Sequence, residues 1–331
     1  MFKNVTILGD GAMGSVCAML LCENKADVTL WGHDPAQLSQ IESRRENIFF
    51  LPGYPLPDTL KFEPDGAKAM TGTELLVCAV PCQYIRPVWT KLKTHVPAGI
   101  PIVSVAKGIE NQTLLRPTEV LAELLGTDHR YAVLSGPTIA DELARSLPAT
   151  ATIACTDTDL ACRLQEAFNT PMFRVYTNDD LTGVELAGAM KNVIAIAAGC
   201  IDGIGAGDNA KAALVCRGLA EIERLGLSMG AREKTFTGLS GLGDLVTTCI
   251  SPKGRNRSYG ERLGRGMSAA EAAAATKSVV EGVATCRSVI ELTERSGVEM
   301  PICRAVFDVI HGHQSVTEAI AGLMSRSLKS E

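Results

Sequence analysis

A six-residue window near the N-terminus, Gly9-Asp10-Gly11-Ala12-Met13-Gly14, restricts the possible folds more than any other stretch. It follows the apolar run Val5–Leu8 and opens a helical pattern over Ala12–Glu23. G-x-G-x-x-G set between a strand and a helix has a definite physical use. The first glycine (Gly9) allows a tight turn, and the second (Gly11) lets a pyrophosphate approach the backbone. The third (Gly14) lets helix and strand pack closely, and the helix N-terminus faces the phosphates. A second apolar run, Val28–Trp31, follows at βαβ distance, so the window reads as the first turn of a dinucleotide-binding unit.

Seven short apolar runs are candidate strands: Val5–Leu8, Val28–Trp31, Leu75–Val80, Ile102–Ala106, Tyr131–Ser135, Ala151–Cys155 and Phe173–Tyr176. Helical patterns such as Ala12–Glu23 and Leu160–Phe168 separate most of them. Such alternation predicts a parallel sheet with helices on both faces. The segment Asn47–Pro57, rich in Pro and aromatic residues, reads as an excursion. After Tyr176 the strand signals stop. Asn178, Asp179 and Asp180 are helix N-cap types ahead of a long Ala-rich helix. Ser268-x-x-Glu271 is a capping box, and Gly297 with Pro301 marks a helix stop and a new start. The expected architecture is therefore α/β, a Rossmann-type doubly wound sheet over residues 1–179, followed by an all-α domain over 180–331.

Composition narrows the class further. A formal net charge of −5, with no Lys/Arg block, gives no general attraction to nucleic acid or an anionic membrane. No run of about 18 apolar residues is uninterrupted, so membrane insertion is not expected; the longest candidate, Val184–Ala198, carries Lys191 in its middle. Eleven cysteines are scattered without a C-x-x-C pair or a His at zinc-ligand spacing. They read as reduced, buried small residues of a soluble cytoplasmic protein, with no metal.

Several residues stand where chemistry is expected. Asp34, twenty residues past Gly14, is placed for the adenosine ribose, while His33 could equally face a 2′-phosphate. Both could instead cap the helix that starts at Pro35. Lys107 ends the run Ile102–Ala106, and Ser135-Gly136-Pro137-Thr138 ends the next one. Ligands in open α/β sheets bind outside the carboxyl ends of strands, so both could line one crevice. Lys191 lies among small and apolar residues on every helical face. It either snorkels out or acts inside, where burial lowers a lysine's pKa toward that of a proton-transfer group. Gly203-Ile204-Gly205-Ala206-Gly207 could be a mobile lid but reads more readily as a helix–helix connection. Arg255-Asn256 in a Gly-flanked stretch makes a plausible anion clamp.

Taken together, the N-terminal glycines, Leu30-Trp31-Gly32-His33-Asp34, Ala106-Lys107-Gly108, Ser135-Gly136-Pro137-Thr138, Lys191-Asn192-Val193-Ile194-Ala195, Gly241-Leu242-Gly243-Asp244-Leu245, Arg255-Asn256-Arg257 and Val279-Val280-Glu281-Gly282 carry a resemblance. The chain resembles the bacterial-type NAD(P)-dependent glycerol-3-phosphate dehydrogenases almost end to end. The resemblance implies interconversion of dihydroxyacetone phosphate and sn-glycerol 3-phosphate with NAD or NADP, supplying the backbone of glycerophospholipids. It implies that Lys191 is the proton donor and acceptor, and that Lys107, Gly136, Thr138, Asn192, Asp244, Arg255 and Asn256 line the substrate site. Ala12, Met13, His33, Lys107, Ala140, Arg255, Val279 and Glu281 would touch the cofactor. NADPH is expected to be used, with His33 taking part in that choice. The expected partners are the small substrate and, at most, a second copy of the chain.

Three departures bear on contacts. Ala12-Met13 replaces a commoner Ser-aromatic pair, Cys82 follows Pro81 where Ser is usual, and Gly254 stands before Arg255 where Ser is usual. The residues leave two other readings open: a relative that reduces a different small acid or ketone, and a catalytically silent dinucleotide sensor.

Overall fold

The computed structural model describes residues 2–276 and 279–328. By backbone contacts the chain forms two compact units. One comprises Met1–Lys107 with Leu115–Glu185, and the other Gly108–Leu114 with Leu186–Glu331.

The first unit is built on an eight-stranded sheet. Its strands are β1 (Asn4–Leu8), β2 (Asp27–Trp31), β5 (Lys61–Phe62), β6 (Leu75–Cys78), β7 (Ile102–Ser104), β8 (Tyr131–Ser135), β9 (Ala149–Ala154) and β10 (Phe173–Asn178). A hairpin of β3 (Glu46–Asn47) and β4 (Leu51–Pro55) stands apart. The spatial order is β10-β9-β8-β7-β6-β1-β2-β5, so the order reverses between β1 and β6. All seven expected strands are present. Alternate residues of the central strands feed two apolar clusters: Val5, Ile7, Leu75 and Val77 join one, and Leu8, Leu76, Cys78 and Ile102 the other. Successive side chains in a strand point to opposite faces, so both faces of the sheet are covered, as a doubly wound fold requires.

One pairing departs from the all-parallel expectation. β8 and β9 are antiparallel, whereas β9 and β10 are parallel. The link from β8 to β9 contains a helix of five residues, Ala140–Ala144. At about 1.5 Å per residue that helix is too short to carry the chain back along a strand. The eleven-residue helix Thr158–Phe168 between β9 and β10 is long enough. The excursion Asn47–Pro57 is mostly the β3–β4 hairpin, and Lys61–Phe62 adds a short strand beside β2.

The unit boundary also differs from a single cut between residues 179 and 180. Helix Leu181–Ile204 starts in the first unit and continues in the second. Asp180 caps it by accepting from the Gly183 amide at 2.9 Å. Glu185 holds the first turns to their own unit: its buried carboxylate accepts from Arg116 (2.7 Å) and from the Thr118 amide (2.9 Å) and hydroxyl (2.6 Å). Burial pushes the Glu185 carboxyl up, and the Arg116 guanidinium and Thr118 oppose that. Gly108–Leu114 belongs to the second unit because Ile109 and Leu114 lie in that unit's core. The Ser288 hydroxyl bonds the Ile109 carbonyl (3.0 Å) and the Asn111 side chain (2.6 Å).

Among its described residues the second unit is helical. Its centre is Leu181–Ile204, the one described helix long and apolar enough to cross a membrane, with 94% of the qualifying window buried in the protein. It packs on helix Arg255–Gly264 through glycines on both sides. A Cβ on Gly199 would lie 2.6 Å from the Glu261 nitrogen, and one on Gly264 would lie 2.9 Å from the Gly203 Cα. Gly260 faces the Ile196 carbonyl in the same way. Gly260→Ala should therefore force backbone apart and destabilise the protein by about 1–3 kcal/mol, the usual cost of overpacking. Urea denaturation of the purified variant measures this; an unchanged midpoint would mean the contact relaxes freely.

All eleven cysteines are free. Burial pushes the thiols of Cys17, Cys78, Cys200, Cys249 and Cys286 up to about 12, as expected of small apolar fillers. Cys162 and Cys216 are exposed, contrary to the reading of every cysteine as buried: each lies on the outer face of an amphipathic helix.

Candidate functional site

The glycine-rich loop joins β1 to helix Ala12–Glu23. Gly9 has φ +120°, and a Cβ there would stand 2.7 Å from the Ala79 carbonyl carbon and oxygen. A Cβ on Gly14 would run into the Gly9 carbonyl, so the helix could not approach the strand. Around Gly11 nothing lies within 4 Å of the position a Cβ would take. The first and third glycines are thus required by close packing, and the second leaves open space where a pyrophosphate would meet backbone. The first turn of the following helix carries no acidic residue to oppose an anion. The chain's own residues therefore fit a dinucleotide.

Asn47 supports this loop, and sequence reasoning did not single it out. It is fully buried; its Nδ2 donates to the Asp10 carbonyl (2.8 Å) and the Ser15 hydroxyl (2.7 Å), and its Oδ1 accepts from the Phe50 amide (3.1 Å). The expected ribose residue, Asp34, caps helix Pro35–Arg44: its Oδ1 accepts from the amides of Ala36 (2.9 Å) and Gln37 (3.2 Å). The capping alternative therefore describes Asp34 correctly. His33 beside it is exposed. A different carboxylate is buried between the strand ends. Asp10 is 5% exposed, and its Oδ2 accepts from Gln37 Nε2 at 2.7 Å. Burial pushes the Asp10 carboxyl up, while Gln37 holds it down.

Farther along the sheet, three expected residues meet at one atom. Lys107 Nζ donates to the Gly136 carbonyl at 3.0 Å, and the Thr138 hydroxyl donates to the same oxygen at 3.1 Å. Gly136 needs its positive φ of +139°, and a Cβ there would press on Ala151 Cα at 3.0 Å. The buried Ser135 hydroxyl just before it has no protein partner. Ala140 opens the short helix whose Asp141 accepts from the Tyr54 hydroxyl at 2.7 Å.

The second unit contributes a separate constellation. Lys191 is 7% exposed, so it does not snorkel. Its ammonium pairs with the Asp244 carboxylate, itself 1% exposed, and donates to the Thr248 hydroxyl at 2.6 Å. Thr248 in turn donates to the Asp244 carbonyl at 2.7 Å. A buried ammonium without a counter-charge would be strongly destabilising, and Asp244 supplies that charge. The pair is held by local geometry. A π-helical turn, Leu239–Gly243, sets Asp244 as the first residue of helix Asp244–Ile250, and one helical turn later comes Thr248. Thr248 was not among the expected site residues; its signal was the i, i+4 spacing from Asp244.

Gly254 ends the next connection, where a Cβ would meet the Thr248 and Ser251 carbonyls at 3.2 and 3.3 Å. Helix Arg255–Gly264 starts there. Arg255 is exposed and its Nη1 donates to the Val279 carbonyl at 3.2 Å. Asn256 is buried and its Oδ1 accepts from the Gly282 amide at 3.0 Å, which leaves Nδ2 as its donor side. A Cβ on Gly282 would stand 2.6 Å from the carbonyl of Asn192, so Asn192, Asn256 and Gly282 form one tight junction. Glu281 begins helix Glu281–Ser296 beside it.

Two family models match in register with these features. Residues 4–161 match the NAD-dependent glycerol-3-phosphate dehydrogenase N-terminus, and residues 180–321 match the C-terminus of the same family. Over 329 residues the chain is 48% identical to a glycerol-3-phosphate dehydrogenase [NAD(P)+] of Thermobifida fusca, covering 99% of this chain and 98% of that one.

The chain belongs to the NAD-dependent glycerol-3-phosphate dehydrogenase family.

A second member of the family, from Corynebacterium glutamicum, is 46% identical over 330 residues, with 99% of each chain covered. The crystal structure of a glycerol-3-phosphate dehydrogenase from Coxiella burnetii is similar at a TM-score of 0.94 and 35% identity, covering 98% of this chain and 99% of that one. Membership also weakens the reading of a relative acting on a different small acid or ketone, because both halves match one family.

Proposed function

We propose that this protein is a glycerol-3-phosphate dehydrogenase that uses NAD(P), reducing dihydroxyacetone phosphate to sn-glycerol 3-phosphate and running the reverse oxidation. The observation that carries the reading is Lys191: a buried ammonium on a close-packed helix, held by Asp244 and Thr248. The Gly9–Gly14 loop, Ala12 and Met13 included, holds the dinucleotide, with His33, Ala140, Val279 and Glu281 as further contacts. The bound nicotinamide supplies the hydride in one direction and accepts it in the other.

The chain's own residues do the rest. As a C–H bond forms at the carbonyl carbon, negative charge grows on the carbonyl oxygen. Lys191 Nζ gives that oxygen its proton, and in the oxidation Nζ takes the proton of the C2 hydroxyl. Asp244 and Thr248 keep Nζ in one place, so little reorganisation is needed when the proton moves. Arg255 and the Nδ2 side of Asn256 bind the substrate phosphate. Arg255 suits this because its planar fork matches phosphate oxygens in pairs. Lys107, Gly136, Thr138 and Asn192 complete the substrate contacts. We place the protein in a reducing cytoplasm, consistent with its free thiols, and its product at the head of glycerophospholipid synthesis.

The purified protein, mixed with dihydroxyacetone phosphate and NADH or NADPH, should oxidise the dinucleotide and form sn-glycerol 3-phosphate in equal amounts. Dinucleotide binding with no substrate-dependent oxidation would support a silent sensor instead.

A further inference from the structure

We infer that Asp10, not Asp34, reads the adenosine ribose and turns this chain toward the dinucleotide that lacks a 2′-phosphate. Three observations carry the inference. First, Asp10 lies at the carboxyl end of β1 inside the glycine-rich loop, and its carboxylate reaches the carboxyl end of β2. A Cβ on Gly32, the residue after β2, would stand 2.6 Å from Asp10 Oδ2 and 2.7 Å from its Cγ. A side chain at position 32 would thus displace this carboxylate, and glycine leaves it room. Second, Asp34, the residue expected to read the ribose, commits one carboxylate oxygen to capping the following helix through two amides. Third, Asp10 is fixed in place: Gln37 Nε2 donates to its Oδ2 at 2.7 Å, and Asn47 holds its backbone carbonyl at 2.8 Å.

The chemistry follows from position. In doubly wound sheets the pyrophosphate sits on the first turn, and the adenosine ribose beside it is read by an acid at the end of the second strand. A carboxylate there accepts from a ribose 2′-hydroxyl and repels a 2′-phosphate. Here that carboxylate comes from the first strand's loop and crosses over Gly32. His33 could face a 2′-phosphate on position alone, but it lies within electrostatic reach of the Asp10 carboxylate. The inference therefore runs against the expectation that His33 takes part in choosing NADPH. It rests on the dinucleotide reading of the same loop, so its test must separate the two.

The test is binding of NADH and NADPH to the full chain without substrate, followed by titration calorimetry. The wild type should bind NADH more tightly. Asp10→Asn is close to isosteric and keeps an acceptor for Gln37; Asp10→Ala removes the group. Both should shift the NADPH-to-NADH affinity ratio toward NADPH by about tenfold or more. A purely structural role would weaken both dinucleotides alike and leave the ratio unmoved. Asp34→Asn should leave it within about twofold. A second arm needs no variant: adenosine 5′-diphosphate should displace NADH from the wild type better than its 2′-phosphorylated form does. A wild-type preference for NADPH, a ratio unmoved in both Asp10 variants, or a shift in Asp34→Asn alone overturns the inference while leaving the dehydrogenase reading intact. Failure of the wild type to bind either dinucleotide overturns both.

Discussion

Lys191→Met is expected to lower kcat by about 100- to 10,000-fold, the contribution of a positioned acid, while dinucleotide binding survives. Methionine keeps most of the volume and removes the charge and the proton. The carboxylates near the proposed site, Asp244 and Glu281, would be acceptors when ionised, and none of the five histidines lies in the motifs assigned to substrate. Lys191 is left as the donor, and its surroundings suit the role. The side chain is buried, and Asp244 and Thr248 provide two partners at one nitrogen. The variant also leaves Asp244 buried without its partner, which is destabilising in its own right. Measurement should therefore pair single-turnover hydride transfer with a dinucleotide Kd. A folded Lys191→Met protein of near-normal kcat, alongside an inactive Lys107→Met protein, would give the proton-transfer role to Lys107. The structure weighs against that exchange, because Lys107 Nζ is directed at the Gly136 carbonyl.

Arg255→Ala should lower kcat/KM for dihydroxyacetone phosphate by tens- to thousands-fold, corresponding to about 2–5 kcal/mol for a lost charge-paired contact. Arg255→Lys should recover only part of it, because a single ammonium cannot reproduce the paired geometry. Arg255 is exposed and its guanidinium bonds the Val279 carbonyl, so the substitution removes little from the fold itself. A glycerol-like substrate without phosphate offers a control: its kcat/KM should fall far less than that of dihydroxyacetone phosphate between wild type and Arg255→Ala. If the phosphorylated substrate is equally indifferent, the clamp lies elsewhere.

Much of the architecture was legible in the chain. All seven expected strands exist, because β-strands buried on both faces read as short apolar runs. The cap at Asp180, the capping box at Ser268 and the stop at Gly297 are where local hydrogen-bonding rules put them. The glycine spacing was equally legible, since Gly9 and Gly14 sit where backbone approaches closely and Gly11 faces open space.

What stayed hidden depended on partners distant in sequence. The antiparallel β8–β9 pair was missed because strand–helix alternation does not show that a five-residue helix is too short for a crossover. Gly108–Leu114 lies within the first half of the chain, yet Ile109 is core to the second unit and bonds Ser288, 179 residues away. Asn47 sat in a stretch read only as an excursion, and its purpose shows when its amide meets the loop at Asp10 and Ser15.

The dinucleotide loop, the two-part organisation and Lys191 as an ionisable group on an apolar helix could be read from the residues alone, because these rest on local spacing and composition. Tertiary structure decided which carboxylate does what. Asp34 became a cap and Asp10 a buried group against Gly32, while Asp244 became the counter-charge of Lys191. A carboxylate's role depends on which donors and charges surround it in space, and those come from strands and helices that sequence spacing alone does not bring together.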